Sequence, residues 1–328
     1  MHFKLKKSVS TYIMINRELL RCKVLQTLYA YYKGNTVTHQ MAEKELFHNL
    51  ERTYDLYFHL LQLIIDITNF AALRIETKRG KLQPHYDDLN PNLRFVDNRF
   101  VKQLTTNTTL RKYLTARKLS WVNHPELIKH LFEQISESTF YNEYMLADTS
   151  SYEADKDLWR KIFKKIMLEN EMLDSTVEED SIFWVDDLVI VISFVLKSIK
   201  RFEEENEASQ PLLPMFKSDD DAAFARELLQ VTLKRETEYR ELIDKHTQNW
   251  DLDRIAFMDI LIMQVALAEI TTFPSIPVNV SLNEYIEIAK KYSTVKSGTF
   301  INGVLDKIVT EMKTEKTLIK IKSFTNIK

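Results

Sequence analysis

The sequence predicts an all-α protein, and three observations carry that reading. Glycine and proline are scarce, 4 and 7 in 328 residues, whereas sheets need frequent turns and turns are built from those residues. Apolar residues recur at steps of three and four along most of the chain rather than at steps of two. Helix start and stop signals bracket the strongest of those runs.

A first helix is expected over residues 16–32, with Leu20, Val24, Leu28 and Tyr31 at helical spacing and Gly34-Asn35 closing it. A much longer one is expected over residues 42–78, where Phe47, Leu50, Tyr54, Tyr57, Leu61, Ile64, Thr68 and Ala71 follow a heptad seam. Leu56, Leu60, Leu63 and Ile67 add a second apolar stripe, which predicts burial on two sides. Gly80, Pro84 and Asn90-Pro91 break the pattern. Weaker helices follow over residues 98–119, 125–138 (with Pro125 as its first residue), 153–173 and 181–205. Within the last, the run "LVIVISFVL" at 188–196 is rich in β-branched residues and leaves a buried strand open as an alternative.

Acidic residues 201–221, with Pro211 and Pro214, read as a linker. A charged amphipathic helix is expected over 221–249, then an apolar one over 254–270 capped by Asp251 or Asp253. Ser281 and Glu284 have capping-box spacing ahead of "YIEIAKKY". The stretch "KSGTFINGVLDKI" at 296–308 contains Asn-Gly, a strong hairpin signal. Phe300, Val304 and Ile308 nevertheless recur every four residues, with Ile301 and Leu305 beside them. A helix is therefore expected, with Gly303 inside it at a cost of about 1 kcal/mol relative to alanine.

Composition excludes several function classes. The chain is 45% apolar and 28% charged with a net charge of −2, so no strong field for polyanions surrounds the whole molecule. Positive charge gathers at the ends: Lys4, Lys6, Lys7, Arg17, Arg21, Lys23 and Lys33 against Glu18, and five lysines after residue 312 against Glu315. Such ends suit nucleic-acid arms and equally suit solvated termini. One cysteine, Cys22, permits neither a disulfide framework nor a zinc site and implies a reducing compartment. The basic start lacks the apolar core of a secretory signal, and the apolar runs at 188–196 and 255–270 are shorter than a membrane span. A cytoplasmic protein is expected.

Enzyme signatures are missing. The four glycines are too scattered for a phosphate-binding loop. Glu45 and His48 form a lone Glu-x-x-His where di-iron bundles need two. The chain is expected not to be an enzyme and to use no cofactor or metal. Binding has better candidates. Arg17 and Arg21 are four apart on one helical face behind Lys6 and Lys7, a basic strip that can neutralise phosphates. Tyr12, Tyr29 and Tyr32 are nearby aromatics for stacking or for the core.

The segment "TFINGVLDKI" resembles the C-terminal signature of the transcription antitermination factors of the NusB family. "PVNVSLNEYIEIAKKYS" is similar to that family's preceding helix and "DRIAFMDILIMQVALAEI" to the one before it. "FARELLQVTLKRETEYRELID" resembles its third helix, and "RELLRCKVLQTLYAYY" its first. The resemblance divides the chain into residues 1–36 (first helix and basic arm), 37–214 (a helical insertion that the family pattern does not explain), 215–312 (C-terminal helices) and 313–328 (basic tail). Glu18 and Leu19 stand where the family favours arginines.

What the resemblance implies is an all-α, NusB-like bundle that binds single-stranded boxA-type ribosomal RNA leader together with the ribosomal protein NusE. The assembly acts on the RNA polymerase elongation complex, with no membrane and no direct DNA contact. Lys6, Lys7, Arg17 and Arg21 are then the phosphate candidates and Phe300 and Asn302 the base-side candidates. Tyr29 and Asp253 face the protein partner, and Gly303 is expected to let another backbone approach closely. The alternative is a helical protein-interaction scaffold without specific RNA binding, supported by the heptad seam. NusB-like domains also precede RNA cytosine methyltransferase domains; that reading needs a glycine-rich cofactor domain and a catalytic cysteine, and neither is expected from the scattered glycines and the lone Cys22.

Overall fold

The computed structural model describes residues 16–34, 38–216, 218–247 and 256–320, and among them there are helices and no strands. Helix α1 (Arg17–Lys33) begins where the Asn16 side chain accepts from the Leu19 N–H, and it ends at Gly34. Helix α2 (His39–Arg79) is the long helix that the heptad pattern predicts. Both stripes are buried: Leu50, Leu61 and Ile64 on one side, Leu56, Leu60, Leu63 and Ile67 on the other. By length and composition α2 is the one described helix able to cross a membrane, and 67% of its most apolar 18-residue stretch is buried inside the protein.

The described chain forms two compact units, and the division falls within α2, between Leu50 and Glu51. The unit of residues 51–215 continues with α3 (Tyr86–Leu89), α4 (Arg99–Thr106), α5 (Thr108–Arg117), α6 (Pro125–Glu137), α7 (Thr139–Leu146), α8 (Tyr152–Lys165), α9 (Glu171–Asp180) and α10 (Leu188–Arg201). Trp121, Trp159, Phe100, Phe163 and Phe194 fill its core. Asp55 is fully buried and accepts from Arg52 Nη1 at 2.7 Å, from Arg117 Nε and Nη2 at 2.7 Å each, and from the Tyr113 hydroxyl at 2.8 Å.

Several boundaries here depart from the sequence pattern. The helix expected over 98–119 is two helices, because buried Asn107 accepts from the Leu110 N–H to cap α5 while its Nδ2 donates to the Gln210 carbonyl. The helix expected over 153–173 stops at Lys165; Ile166 leaves helical geometry, and Asn170 caps a new helix, α9. Helix α7 carries no signal strong enough to predict it. Residues 188–196, where a strand was an alternative, are helical. The expected linker at 201–221 is tied down: Tyr54 donates to the Leu213 carbonyl at 2.9 Å, and the Leu213 N–H donates to the Tyr57 hydroxyl at 3.3 Å.

The second unit combines residues 16–50 with 216–320 among those described. It contains α1 and the start of α2, then α11 (Asp219–Lys234), α12 (Glu236–His246), α13 (Phe257–Thr272), α14 (Val278–Tyr292) and α15 (Val295–Thr314). The single helix expected over 221–249 breaks at Arg235, whose backbone is not helical. Helix α13 is the centre of this unit, buried continuously from Asp259 to Ile270. Its proposed caps Asp251 and Asp253 lie outside the described residues. Ser281 does not cap α14, which starts at Val278; it lies inside the helix and its hydroxyl donates to Glu269.

Candidate nucleic-acid interface

Helix α15 carries the base-side candidates, and its position is set at its start. Thr294 and Ser297 form a reciprocal capping box. Ser293 and Ser297 both donate to the buried Asp259 carboxylate, at 2.5 and 2.9 Å, which ties the start of α15 to α13. Ile301, Val304, Leu305, Ile308 and Val309 are buried, as the four-residue spacing predicts. Asn302, Gly303, Asp306 and Lys307 are exposed, and Phe300 is half-buried beside them.

Gly303 answers differently from the expectation. No backbone or side chain approaches it: a Cβ at this position would meet nothing within 4 Å. The glycine in contact with a neighbouring helix is Gly298, where a Cβ would lie 3.6 Å from Ile286 Cγ2 and 3.7 Å from Lys290 Cγ. Gly303 therefore leaves a bare stretch of helix surface facing solvent next to Asn302. Lys307 lies one turn on, on the same face. That four-residue step from Gly303 is the signal by which Lys307 could have been picked from the sequence.

The phosphate candidates separate. Arg17 is exposed and lies 4.8 Å above the Phe224 ring of α11, held by a cation–π contact that leaves its outer face to solvent. Arg21 is only 3% exposed and is engaged inside the protein. Its Nε and Nη2 donate to the two oxygens of Glu269 at 2.7 and 2.9 Å, and its Nη1 donates to Glu284 at 2.9 Å. Burial opposes its charge, but hydrogen bonding and attraction from Glu269, with Tyr285 and Glu284 behind, hold it protonated beyond its ordinary value. Glu269, with no exposure, also accepts from Ser281 at 2.7 Å and from Tyr285 at 3.0 Å. A buried pair whose every lone pair is engaged in this way is a fastening, not a free cation. Arg21 thus fixes α1 to α13 and α14. Lys6 and Lys7 lie outside the described residues.

Of the partner-facing candidates, Tyr29 is the one described. Tyr29 is 41% exposed, with its ring 5.9 Å from that of Phe257. Tyr32 packs edge-on to the same ring at 6.1 Å, and Lys33 Nζ sits 4.4 Å above it. Asp253 lies outside the described residues. The α1 and α15 candidates are on different helices with common neighbours: both helices pack on α13. Arg21–Glu284 and Gln26–Tyr292 also fasten α1 to α14, against which α15 packs most extensively.

A sequence model of the NusB family matches residues 191–310, which runs from within α10 through α11 to α14 and most of α15. The chain is 38% identical over 132 residues to the "Transcription antitermination protein NusB" of Salinibacter ruber, covering 38% of this chain and 82% of that protein. It is 40% identical over 110 residues to the protein of the same name from Bacillus licheniformis, covering 34% of this chain and 83% of the relative. Against that of Bacillus subtilis it is 40% identical over 108 residues, covering 33% and 80%. No solved structure matches. With four fifths of each of these relatives matched at such identity, the chain belongs to the NusB family.

Proposed function

We propose that this chain is an RNA-binding transcription antitermination factor that takes boxA-type ribosomal RNA leader together with a NusE-like ribosomal protein and acts on the RNA polymerase elongation complex. The observation that carries the reading is the solvent-facing strip of α15. A helix-weakening glycine lies there in open space, beside exposed Asn302 and half-buried Phe300, inside the segment that matches the family. The family relatives are named for transcription antitermination.

In this reading Arg17, with Lys6 and Lys7, holds phosphates and sets position, while Phe300 stacks on an unpaired base and Asn302 reads its edge. Arg21 acts by holding α1 in place rather than by touching RNA. Tyr29, with Phe257 and Lys33 around it, and Asp253 face the protein partner. Fluorescence anisotropy of a labelled boxA-type RNA against a scrambled one, with and without the NusE-like protein, tests the proposal. Sequence-dependent binding that strengthens with the partner is expected. Arg17→Ala is expected to weaken both RNAs alike and to reduce the salt slope by about one unit. Equal binding of the two RNAs in every condition would refute it.

A scaffold role for residues 51–215 is a second reading, favoured by the exposed apolar side chains Leu73, Leu82, Tyr86 and Leu89. It predicts that replacing these four with serine leaves RNA binding untouched and abolishes capture of a protein partner.

A further inference from the structure

We propose that the unit of residues 51–215 holds a binding site for a small anion that carries one flat ring. The site is a cavity of about 320 Å³ between the C-terminal end of α2, the segment around α3, and α6 and α7. That volume is at the lower end of small-molecule sites and suits a single ring system with its substituents.

Its walls divide by chemistry. Arg74 and Lys78, one turn apart on α2, supply positive charge. Among the described residues neither side chain has an ion pair or a hydrogen bond; the Arg74 guanidinium lies 5.5 Å over the Phe132 ring. A half-buried guanidinium with no carboxylate partner, placed over an aromatic face, is available to receive a planar anion in bidentate fashion. Phe95, Phe132 and Tyr141 make the apolar wall, with Phe95 5.4 Å from Tyr141 and 6.0 Å from Phe132. Ring edges and faces set at these angles accept a further ring by stacking.

Acidic residues do not cancel the positive wall. Asp88 is already committed to Lys81 Nζ at 3.0 Å and to the His85 N–H at 3.1 Å, which hold its carboxyl below the usual range. Asp87 remains as an exposed acceptor at the rim, placed to take a hydrogen bond from an amine or hydroxyl on the ring. The ligand chemistry is shared by nucleoside monophosphates and by aromatic carboxylates. The site uses no residue of the proposed RNA-binding surface, so the two proposals stand or fall separately.

Isothermal titration calorimetry of the full chain with adenosine 5′-monophosphate, 4-hydroxybenzoate and inorganic phosphate tests this. At least one ring-bearing anion is expected to bind with a dissociation constant of about 1 mM or tighter, and phosphate roughly tenfold more weakly, because it lacks the ring contacts. Whichever ring-bearing probe binds tighter identifies the ligand class. Arg74→Gln is expected to weaken that binding about tenfold through loss of the charge-assisted contact, with an unchanged melting temperature. Tyr141→Leu, which keeps the cations, is expected to narrow the margin over phosphate. Binding of none of the probes, equal binding of phosphate, or unaltered affinity in a folded Arg74→Gln protein would overturn the proposal.

Discussion

The two units handle buried charge in different ways. In the unit of residues 16–50 and 216–320, Arg21 and Glu269 are both almost without exposure, and they pair across 248 positions of sequence. In the unit of residues 51–215 the comparable centre is Asp55, fully buried, whose partners Arg52 and Arg117 keep 25% and 35% side-chain exposure. One arrangement is a sealed pair; the other is a buried carboxylate served by cations at the surface. The difference matters because removing one member of a sealed pair strands an unsolvated charge, whereas half-exposed arginines can turn to water. The sealed pair also joins α1 to α13 and α14, from which a long stretch of chain separates it.

The sharpest way to break the comparison is Glu269→Ala. It leaves Arg21 buried without its main partner and is expected to cost about 3–5 kcal/mol. Ser281 and Tyr285 lose their acceptor at the same time. Urea unfolding followed by far-ultraviolet circular dichroism reads the loss. Tryptophan fluorescence, measured in a Trp250→Phe background, adds a local view, since Trp121, Trp159 and Trp184 all belong to the unit of residues 51–215. An early helical transition ahead of the fluorescence change is expected; a loss below about 1 kcal/mol would mean the pair is no fastening.

Asp55→Ala should be milder, at about 2–3 kcal/mol, from lost charge-assisted hydrogen bonds. Here fluorescence should move first. A cost equal to that of Glu269→Ala would erase the distinction between the two centres.

Acid sharpens the contrast from another side. His59, in the unit of residues 51–215, stacks on Trp121 at 3.9 Å, and its Nδ1 is buried without a hydrogen-bond partner. Burial pulls its pKa from 6.5 down to about 3. Between those values the unfolded chain binds a proton that the folded chain refuses, so stability falls as pH drops through this window. From pH 7 to pH 5 the loss is about 2 kcal/mol. In His59→Phe, which keeps the stacked ring, the corresponding part of the slope between pH 7 and pH 5 should vanish. An unchanged slope would assign the acid sensitivity to other groups.

Legibility in the sequence follows the same division. Helices α1, α13, α14 and α15 could be read because their apolar residues recur at helical spacing over several turns. In residues 51–215 the long α2 was equally clear, but the breaks at Asn107 and Ile166 were not. Asn107 caps α5 while bonding the Gln210 carbonyl, 103 positions away, and no local pattern encodes such a partner. The candidate site shows the same limit. That Asn302 faces solvent follows from helical period alone. The spacing of Arg17 and Arg21 likewise suggested one exposed basic face, yet Arg21 turns inward to a glutamate that periodicity cannot locate. Ser281 and Glu284 had capping-box spacing for the same reason: both are members of that network. The emptiness around Gly303 was hidden too, since a helical glycine reads the same whether a neighbour or open space lies beyond it.

Gly303→Ala tests the central claim most directly, that the bare surface of α15 is kept for RNA. Helical backbone and open space at this position predict a gain of about 0.5–1 kcal/mol in stability from the alanine. Thermal melting and anisotropy of the boxA-type RNA with the NusE-like protein should be measured on the same preparation. The account predicts a higher melting temperature together with weaker sequence-specific binding. A protein that is more stable and binds the RNA equally well would show that Gly303 serves no contact and would contradict the claim.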